Sequence, residues 1–439
     1  MNTDVENAGL RVAVIGLGKI GLPLAVQYAA SGQDVVGVDI NPAVVELVNA
    51  GQVPFPGEHQ LPERLGEAVA QGRLRATTDY AAAIPGVDAI VVVVPLLVDD
   101  RFAPDFGWLD QATAAFAAHL TPGTLVSYET TLPVGTTRNR WRPMIEAGSG
   151  LTEGEDFDLV FSPERVLTGR VFADLRRYPK LVGGLTERGA ARAVDFYRRV
   201  LQFDDRPDLP RPNGVWDLGT AEAAEFAKLG ETTYRDVNIG LANEFAVFAD
   251  KVGVDIYAVI EACNSQPYSH LHRPGIAVGG HCIPVYPRLY LHNDPAATVV
   301  RAAREANEAM PDYACGMLAG AFGGEVAGRT VVVLGAAYRG GVKETAVSGV
   351  FPVVARLTAL GSRALVHDPL YSDDELRALG LEPYPAGSPV DAAILQADHA
   401  EYRDWTPADL PGIQVLVDGR NLTDPASWPG VQRLVIGRP

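Results

Sequence analysis

Short apolar runs alternate with helix-period segments along most of this chain. Arg11-Val12-Ala13-Val14-Ile15 is β-branched and ends in glycine; an apolar-periodic stretch from Lys19 to Ser31 follows, then a second run from Asp34 to Val38. That succession predicts a βαβ unit. The pattern continues through Asp88 to Val94, Leu125 to Ser127 and Phe157 to Phe161, with alanine-rich, helix-like sequence among them. Continuous apolar strands separated by helices imply a parallel sheet covered on both faces. From Thr220 to Lys251 the chain becomes alanine-rich and proline-free, with apolar Ala224, Ala227, Val237, Leu241, Phe245 and Phe248. One long helix is predicted there. A second alternating section opens at Arg329 to Gly335 and continues near Ala364 to His367, Ala392 to Leu395 and Val415 to Asp418. Val53 to Gly57 and Leu381 to Pro389, rich in glycine and proline, read as loops.

At 439 residues the chain exceeds one ordinary core, so two or three domains are expected. With 37 basic and 54 acidic residues, the net charge of −17 disfavours nucleic acid or an anionic membrane as partner. Any phosphate site must be local. The start Met1 to Asn7 is polar and acidic, unlike a signal peptide, and no apolar run approaches membrane-spanning length. Three cysteines, Cys263, Cys282 and Cys315, lack paired spacing, which suggests neither disulfides nor a metal site. A reduced cytoplasmic setting is expected.

Gly16-Leu17-Gly18-Lys19-Ile20-Gly21 follows a predicted strand and opens a predicted helix, the context a dinucleotide fingerprint requires. The first glycine makes the turn, the second admits pyrophosphate and the third lets helix and strand approach. Asp39 ends the next strand, eighteen positions after Gly21, where a carboxylate accepts from ribose hydroxyls and repels a 2′-phosphate. NAD is therefore expected over NADP. Gly279-Gly280-His281-Cys282-Ile283-Pro284 places a thiol in what reads as an open, glycine-wrapped loop, as a nucleophile needs; taken alone, such a cysteine is more often buried beside a turn. Glu164, in Ser162-Pro163-Glu164-Arg165-Val166-Leu167, falls at a strand's carboxyl end, the ligand side of an open α/β sheet. Glu129 to Thr137 also follows a strand. Lys228 and Thr232, four apart, share one helix face.

These motifs together resemble the nucleotide-sugar 6-dehydrogenases, the family of UDP-glucose dehydrogenase and UDP-N-acetylmannosamine dehydrogenase. The likeness is carried by GLGKIGLPLA at 16–25, ETTLPVGTT at 129–137, SPERVLTG at 162–169, AKLGETTYRDVNIGLANEFA at 227–246 and PGIAVGGHCIPVYP at 274–287. Weaker echoes are GAAYRG at 335–340, HDP at 367–369 and DGRN at 418–421. The resemblance implies an α/β fold with two Rossmann-like doubly wound domains joined by a long helical middle: an NAD domain over 1–205, a helical dimerisation segment over 206–318 carrying Lys228 and Cys282, and a nucleotide-sugar domain over 319–439. It implies an NAD-dependent four-electron oxidation of the C6 alcohol of a UDP-hexose or UDP-N-acetylhexosamine to the uronic acid, with Cys282 holding the aldehyde as thiohemiacetal and then thioester; the GGHCIP form at 279–284 looks more like the N-acetylhexosamine branch. Lys228 would face the developing oxyanion, Glu164 would activate water, Thr131 would position water or nicotinamide, and Thr232 would support Lys228. Cofactor contacts would come from Gly16, Gly18, Lys19, Ile20, Gly21, Asp39, Pro95 and Thr131. Substrate contacts would come from Glu164, Arg165, Val166 and Leu167, from Lys228 and Thr232, from Tyr268, Gly275, Gly280 and Tyr286, and from Tyr338, Arg339 and Arg420. The implied partners are a UDP-sugar and a second copy of the chain.

Five positions depart from the family pattern. Thr232 replaces asparagine, Tyr286 aspartate, Tyr268 and Ala346 arginines, and Leu96 threonine. A neutral phenol cannot hold Lys228 as a carboxylate does, and two fewer arginines reduce the positive charge available to a diphosphate. Two other functions stay open at this level: a two-electron nucleotide-sugar oxidoreductase, and a non-catalytic NAD or nucleotide-sugar binding protein.

Overall fold

A computed structural model describes residues 9–99 and 101–439; the acidic opening Met1 to Asn7 lies outside them. The chain divides into two compact units, one ending at Gly230 and the other running from Glu231 to Pro439.

The first unit is built on β1 (Arg11–Ile15), β2 (Asp34–Val38), β3 (Leu74–Thr77), β4 (Ala89–Val92), β5 (Leu125–Tyr128), β6 (Asp158–Phe161), β7 (Lys180–Gly184) and β8 (Val215–Thr220). Their spatial order is β8-β7-β6-β5-β4-β1-β2-β3. Strands β1 to β6 are parallel, β7 pairs antiparallel with β6, and β8 lies parallel to β7. The run β3-β2-β1-β4-β5-β6 reverses direction beside β1, and ligands of such sheets bind at that reversal, outside the strand carboxyl ends. Period-two alternation supplies both cores. Val12 and Val14 pack one face with Leu22 and Val26 of α1 (Gly21–Ala30), while Ala13 and Ile15 face Leu109 and Phe116 on the other. Helix α2 (Glu187–Val200) covers the β7 side through Ala193, Phe196 and Tyr197.

Helix α3 (Ala221–Val252) spans 32 residues, matching the predicted long helix. The Thr220 hydroxyl accepts from the Ala223 amide at its start, and Gly253, at φ +71°, follows its end. The second unit adds α4 (Cys282–Asn293), α5 (Thr298–Ala321) and a parallel sheet of β9 (Thr330–Leu334), β10 (Arg363–His367), β11 (Ala392–Leu395), β12 (Val415–Asp418) and β13 (Gln432–Val435). Its order is β10-β9-β11-β12-β13, a second doubly wound pattern. Met310, Ala314 and Leu318 of α5 join Val331 and Val333 of β9 in one core.

Candidate functional site

In the first unit, the turn from β1 into α1 has the shape a diphosphate needs. Gly16 takes φ +93°, and a Cβ there would sit 3.2 Å from the Val93 carbonyl. A Cβ on Gly21 would lie 1.8 Å from the Gly16 oxygen, so no larger residue fits without moving the turn. Around Gly18, by contrast, nothing lies within 4 Å of a built Cβ, which leaves the approach to the α1 N-terminus open. Asp39 accepts from the Leu17 amide at 2.8 Å and the Asn41 amide at 2.9 Å, so its carboxylate is held beside the glycine turn. Lys19 and Pro95 are exposed and Ile20 is half-buried around this turn. The Thr130 hydroxyl donates to the Val94 carbonyl at 2.6 Å, joining the segment that bears buried Thr131 to the end of β4. These residues fit NAD: an open glycine turn, a helix start for phosphate and a carboxylate for an unphosphorylated ribose.

Beyond the ends of β5 and β6 lies a buried charge cluster. Glu129 follows β5, Glu164 follows β6, and Lys180 opens β7. The Lys180 ammonium donates to Glu129 at 2.6 Å and to Glu164 at 2.9 Å, with Lys180 4% exposed. Glu129 also accepts from the hydroxyls of Tyr197 at 2.7 Å and Tyr28 at 3.3 Å, and Glu164 from the Arg165 amide at 2.7 Å. Burial raises Glu129 above the usual carboxylate range even against the pull of Lys180. Burial also works to raise Glu164, but the charge and hydrogen bond of Lys180, the Arg165 amide and the charge of Lys228 together hold it below its ordinary value. Two carboxyl groups sharing one ammonium are thus pushed in opposite directions, Glu129 up and Glu164 down. Arg165 and Val166 are half-buried and Leu167 is exposed beside them.

Lys228, 7% exposed, lies on α3 with Thr232 one turn further on. Three residues before Lys228, Glu225 accepts from the Gly135 amide at 2.5 Å and from the Thr137 amide and hydroxyl at 2.9 and 2.6 Å. The helix bearing Lys228 and the segment bearing Thr131 are therefore tied by one buried carboxylate.

In the second unit, Cys282 is exposed and is the first residue of α4. This corrects the expectation of an open loop. The flanking glycines suggested a loop, but the helix starts directly after them, and Pro284 in its first turn forfeits only an amide that has no intrahelical acceptor. The site lies where helix geometry favours negative charge. Cys315, in contrast, is buried, and burial pushes its thiol up to about 12. Ahead of Cys282 the chain lies against Tyr338: a Cβ on Gly279 would come within 2.5 Å of the tyrosine Cβ, and Gly280 takes φ +89° over its ring. The Gly280 amide donates to the Ala346 carbonyl at 2.8 Å, so that family departure still anchors the loop through its backbone.

Gly275 is fixed by its amide donating to Asn243 Oδ1 at 2.9 Å, and Asn243 in turn donates to Asn307 at 2.8 Å. A Cβ on Gly275 would lie 3.1 Å from a guanidinium nitrogen of Arg420. Half-buried Arg420 donates to the Gln396 carbonyl at 2.6 Å and the Tyr338 carbonyl at 3.4 Å. Gly275, Gly280, Tyr338 and Arg420 are thereby gathered in one region, with exposed Arg339 beside Tyr338; Tyr286 is half-buried on α4. Tyr268 stands apart, 93% exposed. Lys180, Glu129 and Glu225 drew no individual reading in the sequence. A lysine opening an apolar run, Lys180-Leu181-Val182, was the available signal, because a lysine drawn into a covered sheet needs an anionic partner.

Family models agree with this geometry. Residues 10–201 match the NAD binding domain of the UDP-glucose/GDP-mannose dehydrogenase family, 222–309 its central domain and 332–425 its UDP binding domain. UDP-N-acetyl-D-mannosamine dehydrogenase of Pyrococcus horikoshii is 37% identical over 94% of this chain and 96% of its own. NDP-N-acetyl-D-galactosaminuronic acid dehydrogenase of Ralstonia nicotianae is 36% identical over 69% of both chains. Among solved structures, UDP-D-ManNAc dehydrogenase from Pyrococcus horikoshii superposes with a TM-score of 0.85 at 32% identity, covering 98% of this chain and 99% of that one. A UDP-glucose dehydrogenase from Pyrobaculum islandicum gives the same TM-score at 25% identity over the whole of both chains. The chain belongs to the UDP-glucose/GDP-mannose dehydrogenase family and is an NAD-dependent nucleotide-sugar dehydrogenase.

Proposed function

We propose that the enzyme oxidises the C6 alcohol of a UDP-N-acetylhexosamine, with UDP-N-acetyl-D-mannosamine the first substrate to try, to the corresponding uronic acid through a covalent Cys282 intermediate. The observation that carries this reading is Cys282 itself: exposed, at a helix start behind two glycines, whereas Cys315 is buried. The GGHCIP form and the names of the relatives above support the N-acetylhexosamine. A UDP binding domain model over 332–425 supports the nucleotide.

NAD held at the glycine turn and Asp39 would supply the hydride acceptor for each oxidation, a second NAD replacing the first NADH between them and the accompanying protons leaving to water. Lys228 supplies positive charge to the alcohol oxygen as its carbon is oxidised, and to the oxyanion formed when sulfur adds. The Cys282 sulfur bonds to the aldehyde carbon, giving a thiohemiacetal whose oxidation leaves a thioester. Glu164, already ionised, takes a proton from the attacking water; the carbon–sulfur bond breaks, the thiolate departs and the carboxylic acid remains. Thr131 and Thr232 orient water and the lysine, and Tyr338, Arg339 and Arg420 receive the nucleotide sugar. The arginine fork suits its diphosphate. We place the NAD part at 1–205, the helical middle at 206–318 and the sugar-nucleotide part at 319–439, in a cytoplasmic homodimer.

Incubation with UDP-N-acetyl-D-mannosamine and excess NAD should release two NADH per sugar with a uronic acid as product. One NADH with a carbonyl product would instead identify the two-electron oxidoreductase, and no turnover on a panel of UDP-sugars would remove the proposal. Cys282→Ser should halt the reaction before the acid, a loss of at least about 10² in acid formation.

A further inference from the structure

We infer that Lys180 is a positioning residue for the Glu164 carboxylate, clamping it against Glu129; the inference rests on the hydrolytic role proposed for Glu164. Lys180 opens β7, the strand that runs antiparallel to β6, so its side chain enters the sheet from the end at which β5 and β6 deliver Glu129 and Glu164. An ammonium has three donors. Two are directed at the carboxylates, at 2.6 and 2.9 Å, and the Tyr197 ring covers the nitrogen at 4.8 Å from its centroid. Glu129 is itself braced by the hydroxyls of Tyr197 from α2 and Tyr28 from α1. The brace is rigid on one side and leaves one working carboxylate on the other.

A buried ion cluster of this kind is weak evidence for stability, since apolar replacements often serve as well. Its geometry here has a different use. Glu164 accepts from Lys180 through Oε2 and from its neighbouring amide, at Arg165, through Oε1, so both rotation and ionisation of the carboxylate are constrained before substrate arrives. The charged groups acting on it are Lys180 from β7, Glu129 beyond β5 and Lys228 from α3. Asp174 and Tyr178 line a small cavity shared with Glu164 and Lys180. Of the cations, Lys180 acts most strongly on Glu164. Without it, Glu164 takes up a proton more readily and turns more freely, and water attack on the thioester slows.

The test uses the full-length protein with NAD and the UDP-sugar turned over by the wild type. Lys180→Met strands two buried carboxyl groups and risks misfolding, so it is paired with Lys180→Met/Glu129→Gln, which removes the ammonium together with one of its two carboxyl partners. In the folded double variant kcat should fall about tenfold or more, and the acid limb of its pH profile should move up by about one unit. Acyl-Cys282 should accumulate by intact-protein mass spectrometry. Glu129→Gln alone, which leaves Lys180 with Glu164 as its only carboxylate, should lose less activity and keep its acid limb at or below the wild-type position. Lys180→Arg should recover part of kcat. A double variant with wild-type kcat and acid limb, or equal losses in all variants with no displaced limb, overturns the inference. If the wild type forms no acid from any UDP-sugar, the functional proposal itself has failed.

Discussion

Glu225 illustrates how one buried side chain couples folding to proton concentration. Its oxygens face only donors, the amides of Gly135 and Thr137 and the Thr137 hydroxyl, yet burial dominates and raises it to about 7. Because the folded value lies above the unfolded one, the native state retains a proton that the unfolded chain releases above about pH 4.5. The stability this residue contributes is complete below that pH and declines as pH rises through about 7, by roughly 3 kcal/mol in all. Glu225→Gln should therefore unfold at lower urea concentration on the acid side while showing a flatter midpoint between pH 5 and 8; parallel wild-type and variant slopes would contradict the assignment. Single residues differed in how well the sequence exposed them. Asp39, the glycine turn and Cys282 sit within short motifs whose spacing has a mechanical meaning. Lys180 has its partners 16 and 51 positions away, and only strand pairing brings them together.

At the scale of elements, α3 carries an apolar stripe that the folded chain does not cover. Tyr234, Leu241, Phe245, Phe248 and Val252 follow one another at seven, four, three and four positions, and each is more than a third exposed. That spacing puts them on a single seam, the pattern of a helix that packs on another helix. It supports the proposed homodimer. Phe248→Glu, at the most exposed of these positions, should shift the protein towards monomer in light scattering behind size exclusion while leaving its helical circular dichroism intact. An unchanged dimer would locate the interface elsewhere. Elements with strong period were legible: β1, β2, β11 and β12 fall within a residue of their predicted bounds, and α3 nearly so. The strands β3, β7, β8 and β13 were missed because each is four to six residues long and mixes charged residues or glycine with few apolar positions. Helix α5 was hidden by Pro311, which it accommodates inside the helix.

For the molecule as a whole, two doubly wound sheets meet the chemical requirements of two nucleotide ligands. Each sheet has a glycine turn tied to an aspartate, Gly16 with Asp39 and Gly335 with Asp368, but the second has Ala337 where the first has Gly18, and the first matches the NAD binding domain, so the first is assigned the dinucleotide. NAD at 100 times its Kd should stabilise the protein by about 2.7 kcal/mol against thermal unfolding. NADP at the same concentration should give less, because its 2′-phosphate meets the Asp39 carboxylate. Equal stabilisation by both would place the ribose elsewhere. The α/β class was legible because nearly every strand in the two sheet centres is a continuous apolar run. Where the second sheet ends, and how β7 reverses, are set by tertiary pairing and left no local trace.

The openness of Cys282 has a cost in durability. The proposed mechanism requires this sulfur to be reachable by a sugar carbon; an exposed thiol is reachable by peroxide as well, and its oxidation beyond the sulfenic acid is not undone by thiols. Cys315, enclosed in the core, is shielded from the same fate. Protein stored in air would thus age by losing turnover while its unfolding transition stays in place, so an intact melting curve says nothing about whether a batch still works.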